Sequence, residues 1–284
     1  MITRIARRVL PHRLKRLVKR SGLRVRHRSA ATNVYHCCVQ KTASQWIRRI
    51  LSDQRVYQYC GLKPYDHNKT FPKGVDLRKL TDVTFEAPMP PRTIVTPLYT
   101  AFDGFVGLPK PETYRAFFVM RDPRDIIVSW YFSMRNSHPT MGGTLSALRE
   151  KLGGMSRHEG IRHSIYLLSN RTGLFEALGS WAGAADKDRN VMLVKYEDLT
   201  AVDSSGLFKR LLAHCDIALP DDVLAQLLEE NSFERLSGRQ RGQEDKRAHL
   251  RKGAPGDWAN HFDDELLSYF ELETGDLMSR LGYA

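Results

Sequence analysis

Four short apolar runs constrain this chain more than anything else in it: "NVYHCCV", "RTIVTPLY", "YRAFFVM" and "NVMLVKY". Each is almost continuously hydrophobic rather than alternating, the pattern of a strand buried on both faces in a parallel sheet. Helical periodicity fills the gaps. In "SQWIRRIL" the residues Trp46, Ile47, Ile50 and Leu51 recur at helical spacing, and after "RDPRD" so do Ile126, Ile127, Trp130, Tyr131 and Met134. Asp122 can cap that second helix and Pro123 can take its first position, so it should begin directly after its strand. Strand then helix, repeated, specifies an α/β fold: a doubly wound, mainly parallel sheet with helices on both faces. Such sheets bind ligands at the carboxyl ends of their strands.

Further along, "IYLLSNRTGLFEALGSWAGA", "SGLFKRLLAHC", "DDVLAQLLEENSF" and "DDELLSYFELETGDLMSRLG" read as amphipathic helices. Between the last two lies "SGRQRGQEDKRAHLRKGAPGDWANHF", polar, with Gly and Pro at intervals and no apolar period. A loop of that length in a compact domain is often a binding element, and it reads as a cover over a ligand. One such domain, over residues 34–284, accounts for the chain.

The net charge of +12 is unevenly placed. Of the 44 basic residues 11 precede Ser29, with no acid among them, which leaves 33 against 32 acidic residues for the rest. The body is nearly neutral and the excess belongs to a tail, residues 1–33. There Ile2, Ile5, Val9, Leu10, Leu14, Leu17 and Val18 approach helical spacing between cations, so the segment can lie on an anionic membrane surface. It is too charged to span a bilayer. No aromatic residue precedes Tyr35 to stack on bases, so no nucleic-acid partner is expected. A mitochondrial presequence and a disordered solubilising arm are the other readings of this composition. Cys37, Cys38, Cys60 and Cys215 show neither a disulfide framework nor zinc-ligand spacing, and His36 beside two of them reads as a buried strand residue. With no secretory or transmembrane run, a cytoplasmic location is expected, with membrane association left to the tail.

Three stretches carry chemistry. "VYHCCVQKTASQW" leads from a strand into a helix whose free N–H groups and dipole favour an anion. Lys41 adds a mobile charge there, and Thr42, Ser44 and Gln45 add donors. The glycines of GxxxxGK[ST] are missing, so these residues alone leave an anion site and a solvated loop both open. In "FFVMRDPRDIIVSWYFS", Arg121 ends a strand and Ser129 lies two turns on, about 12 Å along an intact helix. Both can hold one oxyanion, Arg121 bidentately, while ion pairing among Arg121, Asp122, Arg124 and Asp125 is the competing account. In "RKGAPGDW", Arg251, Lys252 and the Gly253 N–H form either a phosphate nest or a charged surface turn. Tyr196 in "VKYEDL" and Phe233 in "ENSF" either stack on a ligand or pack in the core. Together these features suit a ligand with anions at both ends and a flat ring between them.

With those motifs the chain resembles the sulfotransferase family of cytosolic type that uses 3'-phosphoadenosine 5'-phosphosulfate, PAPS. "KTASQW" is similar to the family's lysine, Ser/Thr, Gly, Thr/Ser, Thr/Ser, tryptophan loop, with Ala43 in place of glycine and Gln45 in place of a hydroxyl. Arg121 with Ser129, then "SHP", "YEDL", "NSF" and "RKGAPGDWANHF", follow in the family's order, so the resemblance spans residues 34–284. It implies a P-loop-like α/β sheet, with PAPS as donor and PAP as product. The 5'-phosphosulfate would lie on the turn of Lys41, Thr42, Ala43, Ser44 and Gln45. The 3'-phosphate would lie on Arg121, Ser129, Arg251, Lys252 and the Gly253 backbone, and the adenine near Trp46, Phe233 and Tyr196. The acceptor would be a hydroxyl or amine of a small molecule, carbohydrate or lipid. Lys41 would neutralise the leaving oxygen of an in-line displacement, and the lower charge of a sulfuryl group makes a metal unnecessary.

The base departs from the family pattern. Many soluble members carry a histidine in a Lys-Thr-His-hydrophobic-Pro context, and the corresponding "IVTPLYTAFDGF" has none. Asp103 is the nearest carboxylate and is the expected base, with His36, Asp66 and His67 as other candidates. The family's C-terminal dimer segment also has no counterpart, and the acceptor loops are expected in residues 60–92 and 136–165. Two other functions stay open. One is a catalytically inactive nucleotide-binding or membrane-tethered interaction module, which the missing base and the tail support. The other is a P-loop kinase, which the missing GxxxxGK[ST] opposes.

Overall fold

Five strands form: β1 (Asn33–Cys38), β2 (Lys63–Tyr65), β3 (Thr93–Tyr99), β4 (Tyr114–Met120) and β5 (Val191–Lys195). All but β2 are the apolar runs of the sequence; β2, three residues of Lys-Pro-Tyr, is too short for a hydrophobic period to reveal. The fold is that of a computed structural model, which describes residues 24–67, 79–138 and 143–283. The strands are parallel in the order β2-β3-β1-β4-β5, with Val34 opposite both Ile94 and Arg115. From β1 the chain runs out to β2 and β3 on one side, then crosses to β4 and β5 on the other. The connections therefore diverge between β1 and β4, and a crevice opens at the carboxyl ends of these two strands.

Helices cover both faces: α1 (Ser44–Leu51), α2 (Phe102–Gly107), α3 (Pro123–Phe132), α4 (Arg157–Asn170), α5 (Leu174–Ser180), α6 (Ser205–His214), α7 (Asp221–Glu230) and α8 (Asp264–Thr274). Because successive strand residues point to opposite faces, Tyr35 and Phe118 join one core with Ile126, Trp181 and Phe270, while Val34 and Phe117 join the other with Ile47, Phe208 and Leu211. Trp181 stacks on Phe118 at 4.5 Å, and its Nε1 donates to the Thr100 carbonyl at 3.0 Å. The start of α3 is as its residues require: Pro123 opens the helix and Asp122 accepts the Arg124 N–H at 2.8 Å. The single helix expected over "IYLLSNRTGLFEALGSWAGA" is instead two, α4 and α5, because Gly173 adopts φ 58 between them.

The domain begins earlier than residue 34. The Arg26 and Ser29 amides donate to the Gln58 and Cys60 carbonyls at 2.7 and 2.9 Å, and Arg92 donates to the carbonyls of Ser29 and Ala31. A buried Ala31 completes the seam, so this stretch belongs to the body rather than to the tail. The membrane-surface and presequence readings concern residues 1–23, which lie outside the described residues. Among the described residues no helix is long and apolar enough to cross a membrane.

Candidate active site

A cavity of about 1340 Å³ opens at the β1/β4 crevice. Every residue expected to hold the donor lines it except Thr42: Lys41, Ala43, Ser44, Gln45, Trp46, Arg121, Ser129, Tyr196, Phe233, Arg251, Lys252 and Gly253. Thr42 is fully buried, and its hydroxyl donates to the Val39 carbonyl at 2.9 Å, so it shapes the turn instead of offering a donor to the cleft.

The turn after β1 is held in an unusual backbone conformation. Lys41 (φ 68) and Ala43 (φ 61) both lie in the left-handed region, where a side chain costs roughly 1–2 kcal/mol per residue. Ala43 is the N-cap of α1 and has no side-chain group to cap with, so the first amides of the helix are left for a ligand or water. Ser44 Oγ lies 2.7 Å from the Tyr99 hydroxyl. Trp46 Nε1 donates to the Asn231 carbonyl at 2.7 Å, which ties α1 to the end of α7. Lys41 has no carboxylate partner among the described residues. Burial, then the charges of Arg121 and Arg251, bring its pKa down to about 8.

Arg121, 8% exposed, follows β4 and reaches across the crevice to donate to the Lys41 carbonyl at 3.0 Å. Its guanidinium lies 4.4 Å from the Tyr196 ring centroid. Nη2 is 3.8 Å from Asp125, while Nε is buried and has no hydrogen-bond partner among the described residues. An open donor on a buried cation is what an anionic ligand would satisfy. The ion-pair account of this motif holds for Arg124 with Asp122, while Arg121 with Asp125 is a looser pair. Arg124 pairs with Asp122 at 2.7 Å, and Asp125 accepts the amides of Gly256 and Trp258 at 2.7 and 3.0 Å, which fastens the long loop to α3.

That loop is as irregular as its sequence requires, but Arg251 and Lys252 are not open. Arg251 contacts Glu244 and lies 2.6 Å from Asp257, and Lys252 also pairs with Asp257. Burial opposes ionisation of Asp257, yet bonds from His261, Lys252 and Arg251 outweigh it and hold the carboxyl far below its ordinary range. Ligand atoms of Glu244, Asp257 and His261 lie within 4.8 Å of one another, as a metal site would need, but Arg251 and Lys252 already engage both carboxylates. Gly253 has φ 69, and a Cβ there would lie 2.2 Å from the Phe233 ring, so only glycine fits.

The expected base is not at the site. Asp103 is exposed on α2, between the buried Phe102 and Phe105 that turn the helix toward the core, and it does not line the cavity. His36 is fully buried, stacked on Phe117 at 4.9 Å with Nδ1 2.8 Å from Thr96 Oγ1, and burial brings its pKa down to about 3. Asp66 lines the cavity but pairs with Arg48 at 3.0 Å, and His67 lies outside the lining. The cavity also includes residues to which the sequence assigned no role of their own, among them Tyr99, His138, Asn231 and His249. For His249 there was a local signal, its position two residues before Arg251 in "AHLRKG".

A family model described as the sulfotransferase domain matches residues 108–282, the stretch that carries Arg121, Ser129, Tyr196, Phe233 and Arg251 to Gly253. The chain belongs to the sulfotransferase family. Sulfotransferase 2A2 of Mus musculus is 28% identical over 158 residues, covering 52% of this chain and 50% of that protein. Cytosolic sulfotransferase 1 of Arabidopsis thaliana is 26% identical over 210 residues, 67% of this chain and 58% of its own. The chain thus spans about half the length of the curated relatives it matches. Among solved structures, mouse sulfotransferase SULT7A1 complexed with PAP superposes with a TM-score of 0.54 at 17% identity, covering 92% of each chain. Retinol dehydratase in a complex with retinol and PAP gives 0.50 at 19% identity, covering 92% of this chain and 85% of that one. The likeness extends the P-loop-like α/β fold over nearly the whole chain.

Proposed function

We propose that the chain is a PAPS-dependent sulfotransferase that moves a sulfuryl group to a hydroxyl or amine of a small-molecule acceptor. One observation carries the reading. Lys41, which has no acid partner among the described residues, and Arg121, whose buried Nε is unsatisfied, face one cleft that also holds the aromatic rings of Trp46, Tyr196 and Phe233. That set fits a nucleotide with anions at both ends. When bound, PAPS would supply a sulfuryl group on a phosphate leaving group. Ser44, Gln45 and the first amides of α1 would orient the sulfate end, and Lys41 would neutralise the charge appearing on the leaving oxygen. Arg121, Ser129, Arg251, Lys252 and the Gly253 amide would hold the 3'-phosphate, with the three rings around the adenine.

The acceptor class is supported by Trp130, Met134, Leu145 and Leu168, which give the same cavity an apolar wall. The retinol dehydratase structures contain retinol or androsterone. Four free, buried cysteines support an intracellular setting. Calorimetric titration tests the donor assignment: PAP should bind and raise the melting temperature, and ATP should bind more weakly. Tighter binding of ATP than of PAP would overturn the reading in favour of a kinase.

A further inference from the structure

We propose that His249 takes the proton of the acceptor's hydroxyl or amine, and so serves as the general base that the turn after β3 lacks. The assignment rests on the sulfuryl-transfer reading above. As the acceptor oxygen or nitrogen bonds to sulfur, its O–H or N–H bond breaks and the proton passes to an imidazole nitrogen. The S–O bond to the leaving phosphate breaks with its electron pair kept on the oxygen, beside Lys41. The base must therefore line the cleft, be unprotonated at the working pH and have a lone pair not already engaged.

Most titratable groups near the cleft fail one of these conditions. The Tyr99 hydroxyl is engaged by Ser44, and burial raises its pKa. Asp66 is paired with Arg48. Glu244 and Asp257 are taken up by Arg251 and Lys252. Asp103 and His36 do not line the cavity.

His249 meets all three. It lines the cavity, it is exposed, and its ring has no hydrogen-bond partner among the described residues. The surrounding protein and then the charge of Lys41 lower its pKa, which favours the neutral imidazole. Arg121, Arg251, Lys252 and Arg241 also line the cavity, and the carboxylates of Glu244 and Asp257 are already paired with Arg251 and Lys252. His249 shares the cavity with Lys41, the residue assigned to the leaving oxygen.

Two measurements test this. In the free full chain, the C2–H proton resonance of His249, identified by its loss in His249→Gln, should titrate below the ordinary histidine midpoint and move upward in Lys41→Met. An ordinary midpoint that ignores Lys41→Met would overturn the assignment. In turnover, labelled PAPS is offered to 2-naphthol, 2-naphthylamine and a long-chain alcohol. His249→Gln should keep PAP affinity, lower transfer by about 10²–10⁴-fold and remove the acidic limb of the kcat/KM profile. A wild-type rate with that limb intact, or loss in His138→Gln but not in His249→Gln, would overturn it. Wild type that binds PAP yet transfers to none of the three overturns the sulfuryl-transfer reading, and the base role falls with it.

Discussion

The two cationic ends of the cleft are built on opposite principles. At the β1 end Lys41 has no acid partner among the described residues, its charge opposed by burial and by Arg121 and Arg251. At the loop end Arg251 and Lys252 are compensated by Asp257, with Glu244 also on Arg251. An uncompensated cation gains most when an anion arrives or when charge develops beside it. A compensated pair gains less on binding, but its geometry is set in advance. On the proposed function, the difference would put catalytic leverage at Lys41 and positioning at the Arg251–Lys252 turn.

The largest expected effect breaks the first half of that contrast. Lys41→Met should lower sulfuryl transfer by at least about 10²–10³-fold, as removal of one oxyanion donor does, while PAP binding weakens far less. Equal losses in both would make Lys41 a binding residue only. The same residue sets an alkaline limit. With a pKa of about 8 in the free protein, Lys41 is protonated below that value, so kcat/KM should fall as pH rises through it. A bound anion favours the ammonium form, so the limb in kcat should lie at higher pH.

Asp257→Asn attacks the other end. It removes the acid that compensates two partly buried cations, and unfolding should become easier by roughly 3 kcal/mol near neutral pH. Because the folded-state pKa of Asp257 is depressed, its contribution is present above the ordinary carboxylate pKa and is lost as pH falls through the folded value. The gap between wild type and variant in denaturant melts should therefore narrow in acid. A gap independent of pH would assign the loss to packing instead. The smallest effect concerns Ala43. Glycine at φ 61 relieves left-handed strain but loosens the unfolded chain, so Ala43→Gly should raise stability by at most about 1 kcal/mol. A lowered melting temperature would show that the turn is not strained there.

Much of the site was legible in the chain because its parts are local. A buried strand announces itself over a few residues, and so do the Asp122–Pro123 helix start and the glycine beside Arg251 and Lys252. Each cationic half of the cleft came from short stretches that alone left an anion site and a plain charged surface both open, and the order of the stretches carried the family resemblance. The misreadings were those of side-chain direction. Thr42 and Asp103 both had the right chemistry at the right point in the sequence. In the fold one hydroxyl turns back to the Val39 carbonyl, and the other side chain falls on the solvent face of α2.

What belonged to the tertiary structure was proximity. Local pattern was enough to specify the parallel sheet, the Lys41 turn, the Arg121–Ser129 helix and a long polar loop. It did not say that β1 and β4 would be neighbours, that Arg121 would reach the Lys41 carbonyl, or that Asp257 would meet Arg251 and Lys252. Nor did it bring His249 within the field of Lys41. Periodicity and capping act over a few residues, whereas strand order and loop docking follow from which buried surfaces fit together across the whole chain.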